Sequence, residues 1–323
     1  MRQEIEQVSW IYGENFFEVI KTIPRDEKML IIGSKEHYES LAEVLARIFK
    51  TQVSWYIVSD SYQGVSLQIF EELLEYLEQG EAFKYCLGIG SHQAVSLAQM
   101  TASLASSVEK LWLIPTDFFG VWQARAGIGS VIKSSGENFL KGNTDIKAEF
   151  IFFAPQTDRS SAADLLFLVV ISFLNDREFL GDLARFYPNS AAFLKNSPGI
   201  YLPDILASLE QAETNLFLQS WRALSRFFAK TMSTESSLVQ ALIFIIFLSK
   251  KSTHFSISLV KLKNWLKYVG LSVELPEKFT PVDFYDFEEP IVLIADFKQI
   301  SGGHDELELQ KYWQQFIKGE YDD

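Results

Sequence analysis

Short apolar runs closed by Gly, Ser, Asp or Pro recur through the first half of the chain, at residues 28–33, 53–59, 85–90 and 111–114. Continuous apolar runs of this length are the signature of strands buried on both faces. Between them the pattern changes to a helical period. Leu41, Val44, Leu45 and Ile48 share one face of residues 36–49, and Leu67, Phe70, Leu73, Leu74 and Leu77 share one face of residues 66–79, with Gly80 placed as a C-cap. Residues 91–107 continue the alternation. Strand, helix, strand at this spacing predicts right-handed crossovers and a parallel sheet.

Beyond about residue 160 the helical period dominates. Residues 162–174, 176–186, 201–228, 236–249 and 256–269 carry it, and only 273–276 and 290–295 look like strands. The predicted fold class is α/β plus all-α: a Rossmann-like parallel-sheet domain over residues 1–157, then a mainly helical domain over 158–323. The boundary falls in the Pro, Gln, Thr, Asp and Ser cluster at 154–160.

Composition narrows the function classes. The formal charge of −13 and the lack of any basic run argue against binding a nucleic-acid backbone, which needs clustered Lys and Arg. The longest apolar runs, 165–174 and 241–248, are too short to span a bilayer, and residues 1–10 contain no apolar signal core. A cytoplasmic protein with no membrane partner is expected. The single cysteine, Cys86, sits in an apolar run and reads as a small buried hydrophobe. The four histidines, at 37, 92, 254 and 304, show no metal-ligand spacing.

One segment carries more information than the rest. Residues 114–129 read I-P-T-D-F-F-G-V-W-Q-A-R-A-G-I-G. This resembles the P-T-T-L-L-A-x-x-D-S-S-x-G-G-K segment of 3-dehydroquinate synthases, with Pro115, Thr116 and Gly127 matching, Gln123 at the acidic position and Gly129 at the lysine. The landmarks of that family, and of the related sugar-phosphate cyclases, follow in order along nearly the whole chain. The family's G-G-G turn for NAD is Gly88-Ile89-Gly90, with Ile89 set in the approach to a pyrophosphate. Its G-K-N is Gly136-Glu137-Asn138. Its R-E-F-x-x-G-L-A-E-x-x-K begins at Arg177 and ends with Arg185 at the first zinc ligand and Pro188 at the lysine. H-T-x-G-H falls on residues 221–225 and H-G-E on 233–235. D-K-K is Asp296-Phe297-Lys298, followed by Gly302 to Glu306, where the family has bases.

The resemblance implies a two-domain fold, a homodimer formed through the N-terminal domain, and an NAD and substrate cleft. Cofactor-binding candidates are Gly88, Gly90, Thr116 and Asp117. Cleft candidates are Asn138, Arg185 and Lys298. No catalytic residue and no metal ligand is assigned. Arg185 has the added reading that it fills the vacated metal space and pairs with Glu235 or Asp296. Asp117 has a second reading as a helix cap, and His92 as a helix-start residue with no chemical role. The functional expectation is a pseudoenzyme or chemically altered relative that still binds NAD, another nucleotide or a small metabolite and lacks zinc. The alternatives are an active, divergent 3-dehydroquinate synthase-like lyase and an interaction module with a filled cleft and a protein partner.

Overall fold

The computed structural model describes residues 2–5, 8–11, 21, 27–49, 53–59, 65–79, 82–126, 128–132, 138–143, 148, 150–152, 162–175, 177–196, 198–253, 255–275, 287, 290–295, 298–301 and 306–320. The chain forms two compact units, Met1–Gln156 and Thr157–Asp323.

In the first unit the strands β1 (Arg2–Ile5), β2 (Val8–Ile11), β3 (Met29–Ser34), β4 (Val53–Val58), β6 (Tyr85–Gly90), β7 (Lys110–Pro115) and β10 (Phe150–Phe152) make one sheet. Its order is β1-β2-β10-β7-β6-β3-β4. All neighbouring pairs are parallel except β1 with β2. Helices α1 (Lys35–Phe49), α2 (Leu67–Gln79) and α3 (His92–Leu104) follow β3, the two-residue β5 (Val65–Ser66) and β6, and α4 (Phe118–Ala126) follows β7. Strands β8 (Ile128–Ile132) and β9 (Asn138–Asn143) join β5 in a second, three-stranded sheet.

Side chains alternate across the large sheet, as the pleat requires. Met29, Ile31, Tyr85, Leu87, Ile89, Trp112 and Ile114 meet Leu45 and Phe49 of α1 on one face. Gly88 lies on the other, against Ala98 of α3 and beside Leu113. Both faces are covered, so the strands read as unbroken apolar runs. Helix α3 is buried at every position from His92 to Ala102, polar residues included.

The second unit is built from α5 (Ala162–Asn175), α6 (Arg177–Phe186), α7 (Ser190–Lys195), a 3₁₀ turn (Pro198–Tyr201), α8 (Leu202–Leu209), α9 (Ala212–Phe228), α10 (Thr234–Ser252), α11 (Leu259–Tyr268), the hairpin β11 (Val292–Ala295) and β12 (Lys298–Ser301), and α12 (Glu306–Ile317). Helix α10 is buried at every position from Ser237 to Ser249, mostly through apolar side chains, which makes it the centre of the unit. Helix α9 runs back along it, and α12 adds Trp313 and Phe316 to a cluster with Phe228 and Phe244. Among the described residues no helix is long and apolar enough to cross a membrane.

Three differences from the sequence reading have local causes. The single helix expected over 201–228 is two, because the chain turns at Glu210 and Gln211 between α8 and α9. Residues 273–275 are not a strand. Helix α12 escaped notice although Leu309, Trp313 and Phe316 fall at helical spacing.

The β11 edge docks on the helices through serines. The amide of Val292 donates to Ser220 Oγ at 2.9 Å, and that of Ile294 to Ser249 Oγ at 3.0 Å. Ser249→Ala removes the acceptor and leaves the buried Ile294 amide without it. It is expected to cost about 1–3 kcal/mol, read as a lowered urea midpoint at unchanged m-value.

Candidate functional site

The order β6-β3-β4 marks the candidate site of the first unit. The chain leaves β3 towards β4 on one side and returns as β6 on the other. Crossovers that diverge in this way open a crevice at the carboxyl ends of the two strands. Helices α1 and α3 begin there.

The two helix starts differ. Ser34 caps α1: its Oγ accepts from the His37 amide at 3.3 Å and lies 2.7 Å from His37 Nδ1. At α3 the N-cap is Ser91, whose side chain makes no cap hydrogen bond. The first-turn amides of α3 are therefore not closed off by their own cap. Gly90, just before, has φ of +139°, a conformation that L side chains rarely adopt. Its carbonyl accepts from the Thr116 amide at 3.0 Å, which joins the ends of β6 and β7.

The two glycines have separate tasks. A Cβ on Gly88 would lie 2.6 Å from Ala98 Cβ, so this glycine lets α3 approach the strand. Ile89 does not obstruct a ligand as expected: its side chain is in the core against α1, because the strand pleat turns it to the opposite face from Gly88. Gln93 accepts from Ser59 Oγ at 3.1 Å and ties α3 to the end of β4. His92 is buried, with its ring 6.2 Å from that of Trp122.

Thr116 and Asp117 are buried at the end of β7, beside Gly90. Asp117 is a helix cap: its Oδ1 accepts from the Gly120 amide at 2.6 Å at the start of α4. A Cβ on Gly120 would lie 2.9 Å from Pro115 Cβ and 3.0 Å from the Gly90 carbonyl oxygen, so this glycine permits α4 to start against both strand ends. Gln123, at the acidic position of the resemblance, donates to Gln99 Oε1 at 2.7 Å, and Gln99 donates to the Gln123 carbonyl at 3.2 Å. This pairing fastens α4 to α3. The sequence reading missed Ser59, Gln93, Gln99 and Gly120. Polar residues at 93, 96 and 99 of an otherwise apolar helix were the available signal.

Asn138 lies in β9 opposite Ile132, beside an irregularity in the register, and its side chain is outside the described set. Lys298 pairs with Ala295 in the β11–β12 hairpin, and its side chain is likewise outside it, as is Asp296.

In the second unit Arg185 is not in the interior. It is exposed on α6, paired with Asp182 one turn earlier, and its Nε donates to the Gly181 carbonyl at 3.4 Å. Glu235, one of its two expected partners, is exposed at the start of α10. Asp182 lines a surface cavity of about 410 Å³ with Glu178, Phe179 and Asp204. Among the described residues of this unit the buried basic side chain is Arg222, on α9. Burial and the neighbouring Arg226 both push its pKa well below the ordinary guanidinium value. An arginine one helical turn after Leu218, on a face that continues to Ser225, was the sequence signal. Trp221 donates its indole N–H to the Leu238 carbonyl at 2.9 Å, Ser225 Oγ lies 3.2 Å from Ser237 Oγ, and Ser233 Oγ caps α10. Among the described residues no three His, Cys, Asp or Glu side chains are grouped to hold a metal ion.

No protein-family model and no curated protein sequence matches the chain. Solved structures do. A 2-deoxy-scyllo-inosose synthase complexed with carbaglucose-6-phosphate, NAD+ and Co2+ matches with a TM-score of 0.71 at 14% identity, over 99% of both chains. The 2-epi-5-epi-valiolone synthase of Streptomyces hygroscopicus subsp. jinggangensis 5008, with NAD+ and Zn2+ bound, matches with 0.72 at 12%, over 98% of both. An iron-containing alcohol dehydrogenase of Thermotoga maritima matches with 0.64 at 14%, over 98% of this chain and 100% of that one. The chain has the dehydroquinate synthase-like fold of the sugar-phosphate cyclases, a Rossmann-type N-terminal domain followed by a helical one, which iron-containing alcohol dehydrogenases share.

The contact between β6 and α3 yields three predictions. Gly88→Ala is expected to destabilise the first unit by about 1–3 kcal/mol through overpacking, seen as a lower thermal midpoint. Burial pushes the Cys86 thiol up from 9.0 to about 12. The buried thiol stays neutral in the folded protein while the unfolded chain ionises above about pH 9. The stability it contributes is complete below that pH and is lost as pH rises to about 12, at up to about 1.4 kcal/mol per pH unit. Denaturant curves from pH 8 to 11 should show this slope in the native protein and a shallower one in Cys86→Ala. A thiol reagent at pH 8 should label Cys86 only on unfolding.

Proposed function

We propose that the chain is a dehydroquinate synthase-like protein in which the zinc-dependent cyclisation of that family is lost or altered, and whose first unit keeps a site for a nucleotide or a related metabolite. The observation that carries the first half is the chemistry of the side chains at the positions that the resemblance gives to the metal. Arg185 is a permanent cation and the indole of Trp221 is a donor only, so neither offers a lone pair to a divalent ion. Ser225 and Ser233 are hydroxyls engaged with Ser237 and with the α10 amides. This donor set does not suit zinc, which takes thiolate, imidazole and carboxylate. The acid at 123 is a glutamine held by Gln99. The Lewis acid, the acid/base group and the lysines are thus replaced together, and loss of the metal alone forfeits several kcal/mol of transition-state stabilisation.

NAD fits the first unit better. The glycine turn at Gly90 leads into the start of α3, where the Ser91 side chain makes no cap hydrogen bond, and a helix start after a glycine turn is where a pyrophosphate is received. Bound there, NAD would supply hydride transfer. An active, divergent cyclase is the second reading. It is favoured by the full-length likeness to two synthases whose structures contain NAD+ with Co2+ or Zn2+.

The test is a thermal-shift titration with NAD, with and without zinc, together with a turnover assay on the heptulosonate phosphate substrate of 3-dehydroquinate synthases. The expected result is a saturable rise in midpoint, about 2.7 kcal/mol of stabilisation at a hundredfold excess over Kd, indifferent to zinc and without turnover. Zinc-dependent turnover would overturn the first half. Flat curves at millimolar NAD would remove NAD as the ligand.

A further inference from the structure

Four of the nine large apolar side chains left exposed among the described residues are drawn together around one buried ring of the second unit. They are Phe186, Leu194, Ile200 and Tyr268, the last three 67%, 60% and 71% exposed. The ring beneath them is Tyr187, which is fully buried. It packs edge-on against Phe186 and Phe193, with centroids 4.9 and 5.4 Å apart, and Tyr201 lies 6.3 Å from Phe186. Leu194 and Ile200 adjoin Phe193 and Tyr201 in sequence. Trp265 of α11 donates its indole N–H to the Tyr187 carbonyl at 2.7 Å, and Tyr268 follows one turn on. Exposed apolar residues standing singly are ordinary, but a contiguous group marks a surface that meets a partner.

Charge is unequal across this group. On one side, Phe179 packs on Tyr201 at 5.6 Å and shares the surface cavity with Glu178, Asp182 and Asp204. Glu178, Asp182 and Phe186 form one ridge of α6 at four-residue spacing. Asp182 holds Arg185, while Glu178 and Asp204 have no cationic partner among the described residues. On the other side lie Lys195, at the end of α7, and Lys261, on the ridge of α11 that continues to Trp265 and Tyr268. The end of α11 reaches the start of α7, where a Cβ on Gly270 would lie 3.7 Å from Ser190 Cβ. Both lysines are exposed and have no anionic partner among the described residues. The order across the face is acids, apolar centre, lysines.

We infer that this face is an interface between two copies of the chain, centred on Phe186, Leu194, Ile200 and Tyr268. A twofold axis across the stripe sets the acidic flank of each copy on the lysine flank of the other, so the surface is complementary to itself. An apolar centre with a polar rim is how homodimer interfaces are built. A foreign partner would have to supply the reversed order of charges, which a second copy already carries. The interface belongs wholly to the second unit. It is separate from the nucleotide reading and from the N-terminal-domain dimer that the resemblance implies.

The test is the mass of the full chain by sedimentation equilibrium over a concentration series, with two double variants. Glu178→Lys with Asp204→Lys makes both flanks positive, and Lys195→Glu with Lys261→Glu makes both negative. The native protein is expected to associate reversibly. Each double variant should halve the particle mass, with this association at least about a hundredfold weaker. Mixed in equal amounts, the two variants should regain the native mass, because every flank again meets its opposite. All four positions are exposed, and recovery on mixing shows that both variants are folded. Native mass in either double variant, or no recovery on mixing, would overturn the proposal. A native protein that stays a single chain at every concentration would overturn it too, and leave the face to a different protein.

Discussion

The close seating of α3 on β6 is the contact on which the first unit depends. Gly88 leaves no side chain between strand and helix, and Ala98 takes the room. Covered on every side from His92 to Ala102, α3 carries polar groups into the interior. They persist because specific partners receive them: Ser59 for Gln93, and the main chain and amide of Gln123 for Gln99. Buried polar groups stabilise a structure only when satisfied, so this network fixes where α4 and the end of β4 lie relative to the helix start. The geometry at the carboxyl edge follows from packing underneath it.

The second unit applies the same physics around α10. Its serines accept the Ile294 amide of β11, meet Ser225, and cap the helix start. The positions that the resemblance gives to metal ligands are occupied by groups that bond within the unit. A tryptophan whose indole is fully buried and bonded to a main-chain carbonyl is a packing element, and replacing it with histidine would leave a void. Positive charge is present in the interior, but through Arg222 instead of the exposed Arg185.

Most of the α/β alternation was legible because burial on both faces leaves strands as bare apolar runs, and β6 in particular is bounded by its own sequence. The short strands β5, β8, β9 and β10 were not, since two to six residues with mixed polarity carry no period. Helix α12 was missed because its charged start masked Trp313 and Phe316. The cofactor candidates Gly90, Thr116 and Asp117 lie together at one sheet edge, where Asp117 caps α4. The role of Ile89 was misread because a turn motif does not reveal pleat direction. Arg185 was misread for a related reason: a position in a motif does not say which way a helix faces, and the end of α6 turns this side chain to solvent.

The metal content of the purified protein tests the central claim most directly. The chain should be prepared without chelator, equilibrated with excess zinc, desalted and measured by mass spectrometry of the elements. The account predicts zinc far below one ion per chain, with the same value after Ser225→Ala. One tightly held zinc per chain, lost on that substitution, would contradict it.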